Sequence, residues 1–411
     1  MFAIRKWVAL LSVTAALLLV LLYVYRHPGY VDSLGSGHSL PTNILIADIN
    51  GDGRKDINVV YHAESRAEYY QQVAKREFDL ISQYKNVGFH PGDLIAWPDA
   101  QGHLILGAEG EKTIKALSFV QKERSDRKGD SETWEPTVIS KRSLPDVRHL
   151  EAFKWPGWGT SLVVQFFQHD SVGILKNLSI NKMGLSEVIG IPLSQNPPSV
   201  RNASRFYVGD IDNDSIDEIL FVSTITKEVF IIKYPGETNK PEARVLLRDD
   251  AFNMPSIVKG LDVAGDQSID LIVPDEAGSG GLHILENKGG LRFEKKQFVE
   301  NPFPASVLFQ PGIRQLEPFV DKNGDKFILV SALQGLVLYK IGHDKRLSWE
   351  RKLVLSEAVE TSYDMKVEDL DGDGFQDVVL GRSGVERNIM IIYGPLWGHF
   401  EDLVGMGYVL H

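Results

Sequence analysis

An acidic nine-residue loop that recurs along the chain constrains the fold more than any other feature of the sequence. Its fullest copy is Asp369-Leu-Asp371-Gly-Asp373-Gly-Phe-Gln-Asp377, and Asp48-Ile-Asn50-Gly-Asp52-Gly-Arg-Lys-Asp56 repeats the pattern. Asp210-Ile-Asp212-Asn-Asp214-Ser-Ile-Asp-Glu218 is a third copy, and a weaker fourth keeps Asp262, Asp266 and Asp270. Their starts at 48, 210, 262 and 369 are separated by about three, one and two times a common period of roughly 53 residues. That period lies in the range of propeller blades rather than of helical repeats. It predicts silent units near 100, 155 and 316. Each has apolar runs on both sides of a turn, at 98–102, 155–159 and 321–325. The chain therefore reads as seven units.

The runs beside the loops are short and rich in β-branched and aromatic residues. Ile44-Leu-Ile46 and Ile57-Asn-Val-Val60 flank the first loop, and Met365-Lys-Val367 and Val378-Val-Leu380 flank the last. Such runs, bounded by Gly and Asp, are the strands of hairpins. Seven four-stranded units closing radially make an all-β, seven-bladed β-propeller, an arrangement that leaves only short sheet edges. Oxygen side chains at positions 1, 3, 5 and 9 of a tight loop suit Ca²⁺, which takes six to eight oxygens. An EF-hand would need a bidentate Glu at position 12 and a helix behind it. Position 12 is Val59, Phe221 or Leu380, each within an apolar strand, so that reading fails.

These loops between hydrophobic strands resemble the FG-GAP/VCBS repeat of integrin-alpha-type propellers. The resemblance covers roughly 42–400, and its motif is complete in units one, four and seven. Unit five departs from it, with Ala264 in place of the position-3 oxygen and Gln267 in place of Gly. In unit six Asp321, Asn323 and Asp325 fit, but Leu329 stands where the closing carboxylate belongs. Units two and three have no ligand set. The resemblance implies about three Ca²⁺ sites at hairpin turns on one face, with unit five as a degenerate fourth. It also implies ligands or partners engaged elsewhere on the disc.

The formal charge of −11 is largely local to these loops, whose three complete copies hold eleven acidic side chains at the ligand positions; three bound Ca²⁺ would bring it to −5. No basic stripe with interleaved aromatics is present, which argues against nucleic acid as a partner. The chain has no cysteine, so no disulfide holds it together. At the N-terminus, Arg5 and Lys6 precede an uncharged apolar run from Trp7 to Tyr25, long enough to span a bilayer. The expectation is a signal-anchor transmembrane helix over 1–28, a linker over 29–41 and a propeller over 42–411. The charge balance would keep the N-terminus cytoplasmic and the propeller extracytoplasmic, as a single-pass membrane protein.

One segment departs from the strand pattern. Ser65-Arg-Ala-Glu68 reads as a capping box, and Ala67, Tyr70, Val73/Ala74, Phe78, Ile81 and Tyr84 then recur at three or four residues. The spacing predicts a helix inserted in the first blade over about 66–85. A run of mixed charge at 121–132 reads as a solvated hairpin loop.

No catalytic motif is present: there is no nucleophile elbow, His-Glu-x-x-His or phosphate-binding loop. His62 with Glu64 could face a central cleft, while His90, His169 and His283 are isolated and read as structural. Trp155 and Trp158 fit packing between blades better than sugar stacking. The leading expectation is thus a membrane-anchored calcium-binding propeller that recognises a protein or glycan and is not an enzyme. The alternatives are an extracytoplasmic polysaccharide-acting enzyme and a structural subunit of a membrane complex.

Overall fold

A computed structural model describes residues 31–395 and 409–410, apart from 37–38, 86, 89–90, 100, 123–132, 146, 167–170, 186, 194–204, 237–239, 278–279, 304–311, 333–334, 355–360 and 384. The described strands form seven antiparallel sheets, each a meander of four strands consecutive in the chain, except for the last. The first blade comprises Asn43–Ala47, Asp56–Tyr61, Arg66–Ala74 and Glu77–Lys85. The next five lie within 91–143, 147–192, 207–248, 259–300 and 313–354. First strands of neighbouring blades pack together around the centre. The sixth blade gains a fifth strand, Val409–Leu410, beside Leu347–Val354. All three silent units of the sequence ruler are blades.

The seventh blade closes the ring. Thr361–Glu368, Asp377–Arg382 and Ile389–Ile392 supply three strands, and Val31–Leu34 from the other end of the chain supplies the outermost. The register runs from Val31↔Ile392 to Leu34↔Ile389. Four residues of the segment expected to be a linker are therefore part of the fold, joining both ends of the propeller through backbone hydrogen bonds.

The second strand of every blade is buried beyond its first residue, and along its whole length in Asp56–Tyr61, Glu218–Ser223 and Asp377–Arg382. Both faces of a blade meet a neighbour, so successive side chains alternate between two apolar interfaces rather than between core and water. Val378 and Leu380 face blade six, whereas Val379 packs against blade one. The buried apolar side chains fall into seven clusters, one between each adjacent pair of blades. The core is thus a ring of interfaces.

Two helical expectations are corrected. Residues 66–85 are not an inserted helix but the hairpin of Arg66–Ala74 and Glu77–Lys85, turning at Arg76 (φ 62°). The helical spacing has a physical origin in β-bulges. The register jumps between Tyr69 and Tyr70, leaving Ile81 as the extra residue opposite, and again between Gln72 and Ala74. A bulge turns a spacing of two into three. Phe78 packs toward blade seven while Ile81 and Tyr84 pack toward blade two, so the apparent helical stripe serves two faces. Glu68 does not cap a helix; it is wholly buried and accepts hydrogen bonds from the Tyr61, Tyr70 and Gln83 side chains.

The second correction concerns the N-terminal transmembrane helix. Among the described residues no helix is long and apolar enough to cross a membrane, and the helical segments are short 3₁₀ turns such as His62–Glu64. The run from Trp7 to Tyr25 lies outside the described residues. The single-pass placement, with a cytoplasmic N-terminus and an extracytoplasmic propeller, has no support in the fold and is withdrawn.

Candidate metal loops and central cavity

The acidic loops join the first and second strands of blades one, four, five, six and seven, at one end of the inner strands. The position-1 carboxylate organises each loop by accepting backbone N–H groups. Asp48 accepts from Gly51 at 2.7 Å and Gly53 at 2.9 Å, and Asp369 from Gly372 at 2.8 Å and Gly374 at 2.9 Å. These turns need left-handed backbone at positions 4 and 6, which Gly adopts without strain. Gly372 has φ 72° and Gly374 φ 83°. In the fourth blade Asn213 (φ 61°) and Ser215 (φ 68°) take those places, and in the fifth Gln267 adopts φ 72°. The departures from Gly keep the conformation and carry its steric cost.

The position-9 carboxylate is a buried clamp. One oxygen of Asp56, Glu218, Asp270 and Asp377 accepts the N–H of position 2: Ile49 at 3.0 Å, Ile211 at 2.8 Å, Val263 at 2.9 Å and Leu370 at 2.8 Å. In three loops the other oxygen accepts from the third strand or the residues just after it, at Gln72, Asn287 and Gly394. Burial pushes these acids up, Asp56 to about 6 and Glu218 and Asp377 to about 7, against the hydrogen bonds that favour their charged forms. A bound cation would oppose that shift.

Two loops gather three carboxylates whose oxygens lie within 4.8 Å of one another: Asp210, Asp212 and Glu218, and Asp369, Asp371 and Asp377. The donor set is all oxygen, as a hard cation requires. Asp212 Oδ1 and Glu218 Oε1 are buried without a hydrogen-bond partner, so the fourth loop fits an ion that would satisfy them. Cationic side chains also reach these acids: Lys233 pairs with Asp212, and Arg76 from the first blade pairs with Asp371 and Asp373. The first loop is less open, because Asn50 and Arg54 both bond Asp52, at 2.9 and 2.7 Å. Asp214 and Asp373 serve their own loops, accepting the N–H of Ile216 and Phe375. In the weaker fifth loop Asp266 does the same for Ser268, and Lys326 of the sixth blade bonds Asp262 at 3.1 Å.

At the other end of the inner strands a cavity of about 420 Å³ opens. Its floor and the centre of the disc beneath form a charged, ion-paired channel. Asn43, Asp93, His149, Arg205, Gln315 and Asp364 occupy equivalent places near the starts of six inner strands. Asp364 is fully buried and accepts from Ile44 N at 2.7 Å and Gln315 Nε2 at 3.1 Å, and it pairs with Arg205. Asp93 lies 3.0 Å from His149 Nδ1 and 3.5 Å from Arg205. Burial opposes the ionisation of Asp93, but Arg205 and then His149 outweigh it and hold its carboxyl well below the usual carboxylate range. Burial likewise opposes charge on Asp364, and Arg205 and Lys366 keep it ionised. One step further in, Lys259 pairs with Glu317 at 3.3 Å.

Arg148 and Arg314 stand at the mouth with Glu276, whose carboxyl is raised by burial against the pull of both guanidiniums. Met254 forms part of the rim in left-handed backbone (φ 60°), pinned by the Glu276 N–H to Met254 carbonyl bond at 2.9 Å and by the Pro255–Asp275 bridge. For a side chain such as Met this conformation is strained, and strain of this kind concentrates at functional sites.

The sequence candidates divide accordingly. His62 lines the cavity, 3.6 Å from Glu109, whereas Glu64 turns away to Arg66 at 2.8 Å. Trp155 and Trp158 are buried edge to face at 5.1 Å, and Trp155 donates to the Asp217 carbonyl, so they pack and offer no sugar platform. His283 is a buried partner of Asp275 at 2.8 Å, between Phe252 and Phe298. His90, His169 and most of the mixed-charge run at 121–132 lie outside the described residues. The cavity arginines and Asp364 went unnoticed because they match no motif. The repeat itself carried a signal: a polar residue directly before the apolar core of six of the seven inner strands, from Asn43 to Asp364, recurs at roughly the blade period.

No protein-family model matches the sequence, and no curated protein matches it. The fold does match solved structures. A functionally unknown protein from Desulfotomaculum acetoxidans superposes with a TM-score of 0.53 at 12% identity, over 81% of this chain and 90% of that one. A provisionally named 6-phosphogluconolactonase from Bacteroides fragilis gives 0.53 at 10% identity, over 75% of this chain and 82% of the other. A second so named, from Bacteroides uniformis, gives 0.52 at 12%, over 77% and 86%. At such identities the likeness is one of fold: the chain is built as a seven-bladed β-propeller.

Proposed function

We propose that the protein is a calcium-stabilised propeller of the FG-GAP/VCBS kind that works as a binding module, engaging a protein or glycan at the cavity on the face opposite its metal loops. The cavity carries the reading: about 420 Å³, walled by side chains from several blades, within the size range of small-molecule sites. The metal part rests on the oxygen clusters at Asp210 and Asp369. There Asp210, Asp212 and Glu218, and Asp369, Asp371 and Asp377, would hold Ca²⁺ and tie the first hairpin of each blade. Binding to the folded state alone raises stability by mass action. Two titrations test the reading. Calorimetry should show Ca²⁺ uptake that Asp210→Ala and Asp369→Ala each reduce, and a glycan and protein panel should yield a ligand whose binding survives both changes. No response to millimolar Ca²⁺ would sink the metal part, and a ligand lost with the loops would move the site to the other face.

A second reading, an enzyme acting on a carbohydrate, is favoured by His62, which lines the cavity, and accords with the names of two structural neighbours. Product formation from a sugar substrate that disappears in His62→Ala would support it.

A further inference from the structure

The cavity's chemistry is more specific than its volume. Its lining holds three arginines and two histidines against two carboxylates, Asp93 and Glu276. Arg205 is committed to Asp93 and Asp364 in the channel, which leaves it as the floor. Arg148 and Arg314 come from the third and sixth blades, far apart in sequence, yet both line this one cavity. Guanidiniums converging from separate elements on one concavity suit a carboxylate or phosphate, which they bind through planar, paired hydrogen bonds. Between rim and floor the wall carries hydroxyl and amide groups, Thr42, Thr224, Ser256 and Gln315, with Ile257 and Pro91 as apolar facets. Short neutral donors and acceptors interleaved with small apolar facets match the hydroxyls and C–H faces of a sugar ring.

We propose that the cavity binds a single anionic sugar unit, a sugar acid or sugar phosphate, with its anionic group held by Arg148 and Arg314 and its hydroxyls facing Thr42, Thr224 and Ser256. The assignment rests on the reading of this face as a ligand site and names the ligand's class. Glu276 lines the same cavity, so its carboxylate opposes the entry of a second anion and lowers the affinity of the site.

Calorimetric titration of the full chain with gluconate, glucose 6-phosphate, glucose and inorganic phosphate tests this. Either anionic sugar should bind at least tenfold more tightly than glucose, and which of the two wins identifies the anionic group. Arg314→Gln should weaken that binding at least tenfold with the melting temperature held. Arg148→Gln, at an exposed position, serves the same purpose if Arg314→Gln fails to fold. Glu276→Gln should strengthen binding. Glucose binding as tightly as the acids, unaffected by either arginine change, overturns the anionic assignment while leaving a neutral glycan site standing. Inorganic phosphate binding as tightly as glucose 6-phosphate overturns the sugar part. No binding of any sugar, charged or neutral, overturns the assignment, and the broader reading falls only if the protein and glycan panel is silent as well.

Discussion

The two ends of the inner strands make opposite use of charge. At the hairpin end the carboxylates first hold their own loop: Asp369 bonds Gly372 and Gly374, and Asp377 reaches back to Leu370, while Arg76 and Lys326 reach Asp371 and Asp262 from the next blade only. At the cavity end charges meet across the disc: Arg205 of the fourth blade pairs with Asp364 of the seventh and Asp93 of the second. The first end is a local device repeated with the blades, so it survives loss of some ligands, as in the fifth loop. The second is a single network that exists only when the ring has closed. Their different dependence on closure can be tested.

The largest effect should come from breaking closure itself. A chain beginning at residue 42 loses Val31–Leu34, with the buried Leu34 and a backbone ladder beside Ile389–Ile392. Apolar burial of about 2 kcal/mol and ladder bonds of about 1 kcal/mol each imply a loss of roughly 5 kcal/mol. Chemical denaturation would measure it, and an unchanged midpoint would mean the strand contributes nothing to closure.

Asp364→Ala should come next, at about 3–5 kcal/mol, because it leaves Arg205 and Lys366 in the channel without their shared carboxylate. The pH dependence has a definite sign. The folded pKa of Asp364 is lowered, so its contribution is complete above the ordinary carboxylate value of about 4 and is lost as pH falls below it toward the folded pKa. Asp364→Asn should therefore flatten the acid limb of the stability curve below about pH 4. An acid limb identical to that of the parent protein would remove the channel network from the account.

Calcium should separate the two ends. At a hundredfold excess over Kd a site adds about 2.7 kcal/mol, visible as a rise in melting temperature. Asp369→Ala should remove the share of the seventh loop and leave the acid limb due to Asp364 untouched. If calcium instead altered that limb, the two ends would be coupled through the inner strands.

The smallest effect is expected of His62→Ala, within about 0.5 kcal/mol, since its side chain is partly exposed and away from the channel pairs. Ligand binding is the measurement on which that change should register.

Blade number and loop position were legible because both arise from local chemistry repeated at a fixed interval. Turn geometry demands Gly, Asn or another residue tolerant of positive φ at positions 4 and 6, and carboxylates at 1 and 9 complete the backbone hydrogen bonds. The hairpin 66–85 was misread for a physical reason: bulges at Tyr69 and Val73 break the two-residue period, and a strand buried on both faces shows no single polar side. The cavity lay further from view. Arg148, Arg314 and Glu276 acquire meaning only by lining one cavity, and nothing near any of them in sequence marks it.

By itself, then, the sequence determined the repeat, the number of blades and the loops able to gather oxygen ligands, since each depends on residues a few places apart. Tertiary structure alone decided that residues 31–34 complete the last blade, that Arg205 joins Asp93 to Asp364, and that a cationic cavity stands opposite the acidic loops. Those outcomes depend on ring closure, which brings together side chains separated by up to several hundred residues and turns their charges from exposed to paired.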